Sequence, residues 1–218
     1  MRQVKEPTVA RRKRRSPEEI MDLLLQAAEG EFKKYGYSGA TTAAIAREAD
    51  ITEAQLFRYF SSKAELFQES IFKPLDRHFA EFNARHLHGA RGAQSDRRIA
   101  RIYITELQQF IAEHCEMIRS MVVAQSYASE GTNGVAEIGS LRTYFDHGAA
   151  ILSDGPFRGL TADPRLVVRV SFAAVLANVM FKDWLFPNGL ASESEIRESI
   201  IDFVIDGLSS SLDPKSQT

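Results

Sequence analysis

Apolar residues recur at every third or fourth position along most of the chain, which is the spacing of an amphipathic helix. The first helix is predicted to begin at Ser16, which can cap it, with Pro17 at the first helical position and Glu19 bonding back to the cap. Its apolar side continues from Ile20, and Gly36 is placed to end it. No segment alternates apolar and polar residues as a strand does. The pattern therefore predicts an all-α fold.

A cluster of short helices follows. Thr41 or Thr42 can cap the second helix. The third is predicted to open at the capping box Thr52-Glu53-Ala54-Gln55 and to continue to about Tyr59. The same signal at Ser62-Lys63-Ala64-Glu65 opens a fourth helix. Three such boxes or caps within a short stretch indicate a compact head of short helices.

Pro74 is expected to break or kink the fourth helix, because proline lacks an amide donor and crowds the preceding turn. The helical pattern nevertheless resumes and continues to about Leu87. Further helices are predicted over about 96–110, 116–128, 135–152, 164–186 and 192–212. The helix that opens at Asp163-Pro164 carries apolar residues around most of its circumference, which indicates burial on several sides.

Residues 41–60, TTAAIAREADITEAQLFRYF, have the arrangement that a helix-turn-helix needs. Two short helices that meet steeply require small or branched apolar residues on their inner faces. The segment supplies Ile45, Ala46, Ala49, Ile51 and Leu56. The turn requires a left-handed residue, a conformation that Asp50 adopts at some cost and glycine adopts freely. Such a unit projects the start of its second helix into the major groove of DNA.

Over residues 36–67, GYSGATTAAIAREADITEAQLFRYFSSKAELF, the sequence resembles the TetR family of bacterial transcriptional regulators. The shared pattern combines Gly-Phe/Tyr, paired threonines, Ile-Ala, Ala-Gly-Val-Ser, Leu-Tyr-x-Tyr/His-Phe and Ser-Lys-x-x-Leu. Two positions depart from it. Asp50 replaces the usual turn glycine, and Phe57 replaces a tyrosine whose hydroxyl commonly reaches a phosphate.

The resemblance implies a DNA-binding transcriptional regulator, with repression as the family default and a small-molecule effector bound among the middle helices. It also implies a homodimer in which helices 164–186 and 192–212 of two chains form a four-helix bundle, and the apolar surface of these helices agrees with self-association. Two heads about 34 Å apart can read the half-sites of a near-palindromic operator. The chain then divides into a flexible basic arm (1–15), a helix-turn-helix DNA-binding domain (16–73), an all-helical effector-binding and dimerisation domain (74–212) and a disordered tail (213–218).

Several side chains of the head are placed to contact phosphates. Thr41, Thr42 and Lys63 lie at helix starts, where free amides and the positive end of the helix dipole favour an anion. The alternative for each threonine is a helix cap only, and the alternative for Phe57 and Tyr59 is a partly buried position. The complete predicted DNA-contacting set is Arg11, Arg12, Lys13, Arg14, Arg15, Thr41, Thr42, Thr52, Glu53, Ala54, Gln55, Phe57, Arg58, Tyr59 and Lys63.

The start of the third helix is the candidate base-reading element. Gln55 can pair with adenine, Glu53 can accept from a cytosine amino group, and Ala54 can touch a thymine methyl group. Arg58 and Tyr59 can reach phosphates or a guanine edge.

Charge is distributed unevenly. The chain of 218 residues has a net charge of −2, yet residues 1–15 carry +6 and the remainder carries −8. The basic run at 11–15 is therefore a candidate arm for the minor groove. The alternatives are a solvated tail and a membrane-surface protein without operator specificity, whose arm binds anionic lipid through charge alone.

The predicted effector pocket is mainly apolar and aromatic, so a small, largely apolar molecule is the expected ligand. Each member of the set can instead be an ordinary core residue. The candidate lining residues are Phe79, Phe82, Tyr103, Phe110, Met117, Met121, Tyr127, Tyr144, Phe145, Phe172 and Trp184.

The sequence offers little for other functions. His86 and His88 are two positions apart on a helix and face different sides, and Cys115 beside His114 has no third partner, so neither an enzyme, a metal site nor a cofactor is expected. One cysteine fits a reducing compartment. There is no apolar run of membrane-spanning length and no signal peptide, so a cytoplasmic protein is expected.

Overall fold

The computed structural model describes residues 15–86, 93–126, 138–154 and 162–210, and these residues form helices and connecting turns with no strand among them. The all-α prediction is confirmed. The helices are α1 (Pro17–Gly39), α2 (Thr42–Glu48), α3 (Glu53–Leu56), α4 (Lys63–His86), α5 (Ala93–Glu113), α6 (Cys115–Ser126), α7 (Gly139–Asp154), α8 (Pro164–Met180), α9 (Lys182–Leu185) and α10 (Glu193–Ser210). None of the described helices is long and apolar enough to cross a membrane.

Helix α1 begins with the predicted capping box. Ser16 Oγ accepts from the Glu19 amide at 3.1 Å, and the Glu19 carboxylate accepts from the Ser16 amide at 2.6 Å. Gly36, expected to end the helix, leaves the helical path with a φ of +67°, but one further turn follows to Gly39. On its inner side Phe32 is buried and packs edge-on against Phe67 of α4.

Helix α3 is shorter than predicted. It ends at Leu56, and residues 57–59 form a turn, so its extension to Tyr59 was wrong. The amide of Arg58 donates to Gln55 and that of Tyr59 to Leu56, three residues back, and this spacing tightens the chain out of the α-helix. The tightening brings Phe60 into the core beside Leu56.

Helix α4 runs through Pro74 without a break, so the predicted break is wrong. An internal proline costs about 3 kcal/mol or more. Ile71, Phe72, Leu75 and Phe79 are all buried on either side of it, and burial of each such side chain contributes about 1.5–3 kcal/mol. Because tertiary burial outweighs the local penalty, one helix spans the predicted domain boundary at residue 74.

Helix α7 packs against α4 and α8, while α5 packs against α8 and α10. The approach of α7 to α8 depends on Gly148, where a Cβ atom would lie 2.6 Å from Cγ2 of Val168. The predicted single helix over 164–186 is in fact two, because Phe181 (φ −107°, ψ 22°) interrupts it between α8 and α9.

Candidate nucleic-acid interface

Helices α2 and α3 form the predicted helix-turn-helix. Thr41 caps α2, accepting from the Ala44 amide at 3.1 Å. The seam between the two helices is made of small and branched side chains, since Ile45, Ala46 and Leu56 are at most 2 % exposed. Small residues at this seam let α3 lie close across α2.

The turn between the helices is a Schellman motif. The amide of Ile51 donates to the Ala46 carbonyl at 3.0 Å, and the amide of Asp50 donates to the Arg47 carbonyl at 3.1 Å. Asp50 lies at a φ of +55° and is the one non-glycine residue with a positive φ among the described residues. The predicted left-handed conformation of Asp50 is therefore present.

Arg15 contacts this turn. Its guanidinium donates to Oδ2 of Asp50 at 3.0 Å and to the carbonyl oxygens of Ala49 and Asp50 at 3.3 and 3.4 Å. Sequence analysis assigns Arg15 to an arm that contacts DNA, whereas in the structure its guanidinium lies on the turn of the helix-turn-helix. Arg11, Arg12, Lys13 and Arg14 fall outside the described residues.

The start of α3 is exposed, and its polar side chains have partners within the head. Thr52 and Gln55 form a reciprocal capping box. The backbone amide of Gln55 donates to Thr52 Oγ1 at 3.2 Å, and the backbone amide of Thr52 donates to the side-chain Oε1 of Gln55 at 3.0 Å. The hydroxyl of Thr42 donates to the Glu53 carboxylate at 2.5 Å, which joins α2 to α3. Ala54, which lies between Glu53 and Gln55 in the sequence, is also exposed.

Lys63 begins α4 and lies over an aromatic ring. Its Nζ atom is 4.7 Å from the ring centroid of Tyr37, and burial lowers the pKa of the ammonium. Ser62 caps the same helix, accepting from the Glu65 amide at 3.1 Å, while the Glu65 carboxylate accepts from the Ser61 amide at 2.6 Å. The predicted phosphate contacts Thr41, Thr42 and Lys63 thus all lie at helix starts of the head.

The remaining predicted contacts follow α3. Phe57 is 48 % exposed, Arg58 is exposed and Tyr59 is half-buried. Arg47 on α2 was missed, although the buried positions 45, 46 and 49 already imply that it faces outward. Within the described part of the chain, no carboxylate pairs with Arg47 or Arg58, so both guanidinium groups are available to an external anion.

The family model of the bacterial regulatory proteins of the tetR family matches residues 24–70, which include α2, the turn and α3. The head of the chain is thus similar to the N-terminal domain of the tetR family. The Asp50 and Phe57 departures from the family pattern therefore leave the fold of the head intact. Among curated proteins no significant match is found.

Solved structures share the fold of this chain. A putative TetR-family transcriptional regulator from Mesorhizobium loti MAFF303099 aligns with a TM-score of 0.60 and 17 % identity, covering 90 % of this chain and 98 % of that one. The fatty acid degradation regulator FadR from Bacillus halodurans gives 0.59 and 16 %, with the same coverage. FadR from Bacillus subtilis in complex with stearoyl-CoA gives 0.54 and 14 %, covering 88 % and 99 %.

The body of the protein contains a partly open cavity of about 120 Å³ between α4, α5, α7, α8 and α10. Its described lining includes no charged side chain, and its polar members are Asn83, Ser171 and two tyrosines. Five of the predicted pocket residues line it. They are Phe79, Phe82, Tyr103, Tyr144 and Phe172.

The two tyrosines join α5 to α7 beside the cavity. The hydroxyls of Tyr103 and Tyr144 lie 2.5 Å apart, and burial raises the pKa of both phenols. Both hydroxyls therefore keep their protons at neutral pH. One proton makes the mutual hydrogen bond, so the pair holds a second donor that can serve a ligand acceptor.

The other predicted pocket residues lie elsewhere. Phe110 stacks on His114 with ring centroids 4.1 Å apart, and Met117 and Met121 are buried in the core as part of α6. Phe145 packs behind Phe172, and Trp184 is 83 % exposed. Tyr127 falls outside the described residues. The described residues contain no cluster of three potential metal ligands.

Proposed function

We propose that this protein is a sequence-specific DNA-binding regulator of the tetR family, acting as a repressor that binds a near-palindromic operator as a homodimer and releases it when a small, largely apolar molecule binds the body. The observation that carries the proposal is the exposed start of α3, held on a helix-turn-helix seam of buried small residues. In this proposal residues 16–73 form the DNA-binding domain and residues 74–212 the effector and dimerisation domain, with α4 shared between them.

DNA binding then exchanges contacts within the head for contacts with the operator. Gln55 gives up the Oε1 bond to Thr52 when it pairs with adenine, since that pairing uses both its oxygen and its amide nitrogen. Glu53 likewise exchanges Thr42 for a cytosine amino group. Lys63 leaves the ring of Tyr37 to reach a phosphate. Arg47 and Arg58 need no such exchange.

The proposed dimer surface combines α8 and α9 with α10. Leu166 and Val170 are more than 60 % exposed one turn apart on α8, and Phe181 and Trp184 continue the apolar strip. On α10 the side chain of Phe203 is 71 % exposed. Exposed apolar side chains aligned on neighbouring helices are typical of an interface between subunits. A second copy of this chain is the partner that supplies the same strip, as in a twofold dimer.

The effector site is the apolar cavity. A wall without charge suits an uncharged, largely apolar molecule, or the hydrocarbon part of a longer one. FadR of Bacillus subtilis, which is similar in fold, is solved in complex with stearoyl-CoA, a molecule that carries a long hydrocarbon chain.

The cavity is connected to the head through α7 and α4. Tyr144 and Gly148 of α7 line the cavity, while the N-terminus of α7 is held by Glu69 of α4, which accepts from the Ser140 amide at 3.2 Å and from its hydroxyl. A ligand that shifts α7 therefore moves the helix that carries the head. A coupling of about 1–3 kcal/mol would change operator affinity about 5- to 150-fold.

Selection of bound duplexes from a random pool tests the function. Recovery of a near-palindrome, with two heads per site, supports it. Lys63→Ala should then weaken all duplexes similarly and reduce the salt slope by about 0.9. Glu81→Ala, at an exposed position of the same helix, serves as control. Binding to anionic vesicles with no preference among duplexes would instead favour the membrane-surface alternative.

A further inference from the structure

We infer that Arg15 is a positioning residue for DNA binding, because its guanidinium holds Asp50 in the left-handed conformation on which the angle between α2 and α3 depends. The inference rests on the proposed DNA-binding function. It assigns to Arg15 a role different from direct contact with DNA.

Asp50 is unfavourable at its position for two physical reasons. Its φ of +55° brings the Cβ atom of an L-residue close to backbone, a strain that glycine avoids. Its carboxylate also lies at the C-terminal end of α2, where the helix dipole and the unpaired carbonyls already present negative charge. A partner that offsets both effects is therefore needed for this turn.

Arg15 offsets both at once. Nη2 donates to Oδ2 of Asp50, which neutralises the carboxylate, and Nη1 points to the carbonyl oxygens of Ala49 and Asp50, which end the helix. A planar guanidinium can reach these acceptors together, whereas an ammonium is a single point charge. The two residues are 35 positions apart, so the contact also fixes the start of α1 against the turn.

The turn matters for recognition because α3 spans only Glu53–Leu56. A single turn of helix has little stability of its own, so its direction is set by the Schellman motif before it and by the burial of Leu56. If the turn populates other conformations, the apparent dissociation constant rises in inverse proportion to the competent fraction. Arg15 and Asp50 are partly exposed, with side chains 36 % and 52 % accessible, so a modest effect is expected.

The test is a double-mutant cycle with Arg15→Ala, Asp50→Gly and the pair, measured by fluorescence anisotropy on the duplex selected above, at several salt concentrations. Arg15→Ala should weaken binding about three- to tenfold when Asp50 is present. Asp50→Gly should bind at least as well as the native protein, since glycine adopts the turn freely. Arg15→Ala should then have a smaller effect in the Asp50→Gly background, where the carboxylate is absent and only the bonds to the carbonyl oxygens of residues 49 and 50 are lost.

Two results would overturn the inference. The first is an equal loss in both backgrounds together with a salt slope reduced by about 0.9, which identifies Arg15 as a phosphate ligand. The second is an unchanged affinity of Arg15→Ala. Arg58→Ala removes the same charge from an exposed position just after α3 and should act equally in both backgrounds. If the native protein binds no duplex, the proposed function fails. The stabilisation of the Asp50 turn by Arg15 is then still tested by thermal unfolding. Arg15→Ala should lower Tm more with Asp50 than with glycine at that position.

Discussion

The Nε2 atom of His114 lies 3.3 Å from Oε1 of Glu29, and this contact joins α1 of the head to the junction of α5 and α6. His114 is 6 % exposed, and its Nδ1 atom lies 2.8 Å from the Phe110 carbonyl oxygen. Because a carbonyl only accepts, Nδ1 is the donor there and Nε2 faces the carboxylate. The contact with His114, followed by that with Lys33, lowers the pKa of Glu29 to about 2.

This pair predicts an acid-dependent stability. A carboxyl whose pKa falls from 4.5 to about 2 on folding stabilises the native state above pH 4.5, and the contribution is lost as the pH falls towards 2. Glu29→Gln should therefore lower the free energy of unfolding by about 1 kcal/mol at pH 6, allowing for solvent screening of a partly exposed group. Urea titrations at pH 6 and pH 3 measure the difference.

The difference between native protein and Glu29→Gln should shrink at pH 3. Glu81→Gln, an exposed change on α4, controls for the loss of one negative charge. A difference that stays constant across this pH range would show that the Glu29 carboxylate makes no specific contribution to stability.

A second prediction separates the two uses of Gln55. Gln55→Glu keeps an acceptor oxygen for the Thr52 amide, so the capping box and the stability of the head should be retained. The amide donor that pairs with a base is lost, so preference should change at one position of the operator, by about 1–3 kcal/mol. Duplexes substituted one position at a time, titrated with each variant, measure this.

Gln55→Ala removes both the side-chain oxygen that caps α3 and the side-chain amide that pairs with a base. It should therefore lower Tm and also weaken the preference at the same base position. Gln26→Ala, the same change at an exposed position of α1 outside the DNA-contacting set, controls for the loss of a surface glutamine. Equal losses over every operator variant for Gln55→Glu would mean that the side chain reads no base.

Local signals were sufficient to predict the caps and the turn of the head. The capping boxes at Ser16 and Thr52, like the left-handed Asp50, depend on residues within a few positions of each other, and all are present in the structure. The continuous helix through Pro74 could not be predicted, because the burial that stabilises it involves other helices. The contact between Arg15 and Asp50 could not be predicted either, because 35 positions separate the two residues.

The effector pocket was predicted only in part. Aromatic composition identified Phe79, Tyr103 and Phe172, but it cannot distinguish a side chain that borders a void from one packed in the core, such as Met117. Which of the two occurs depends on the distance between helices. Here Gly148 sets the distance between α7 and α8, and a pattern of hydrophobic positions does not report it.

A third prediction concerns self-association. Val170→Glu places a charge in the middle of the exposed apolar strip of α8, where the side chain is 68 % exposed. The folded protomer should tolerate the change, while a dimer that buries this strip should dissociate. Sedimentation velocity at micromolar concentration measures the mass. Val123→Glu is the matched control, because that valine is 56 % exposed on α6, outside the strip. Identical masses for the two variants would contradict the proposed interface.

The last prediction concerns the contact of α7 with α8. A methyl group at Gly148 would lie 2.6 Å from Cγ2 of Val168, whose branched side chain is stiff, so Gly148→Ala should lower the free energy of unfolding by about 1–3 kcal/mol. Val168→Ala removes the atom that clashes with the new methyl group. The double variant should therefore lose less stability than the sum of the losses of the two single variants. Gly30→Ala, with open space around it on α1, should stabilise by about 0.5–1 kcal/mol. Additive losses in the double variant would mean that a methyl group at position 148 does not clash with Val168, because relief of a clash is necessarily non-additive.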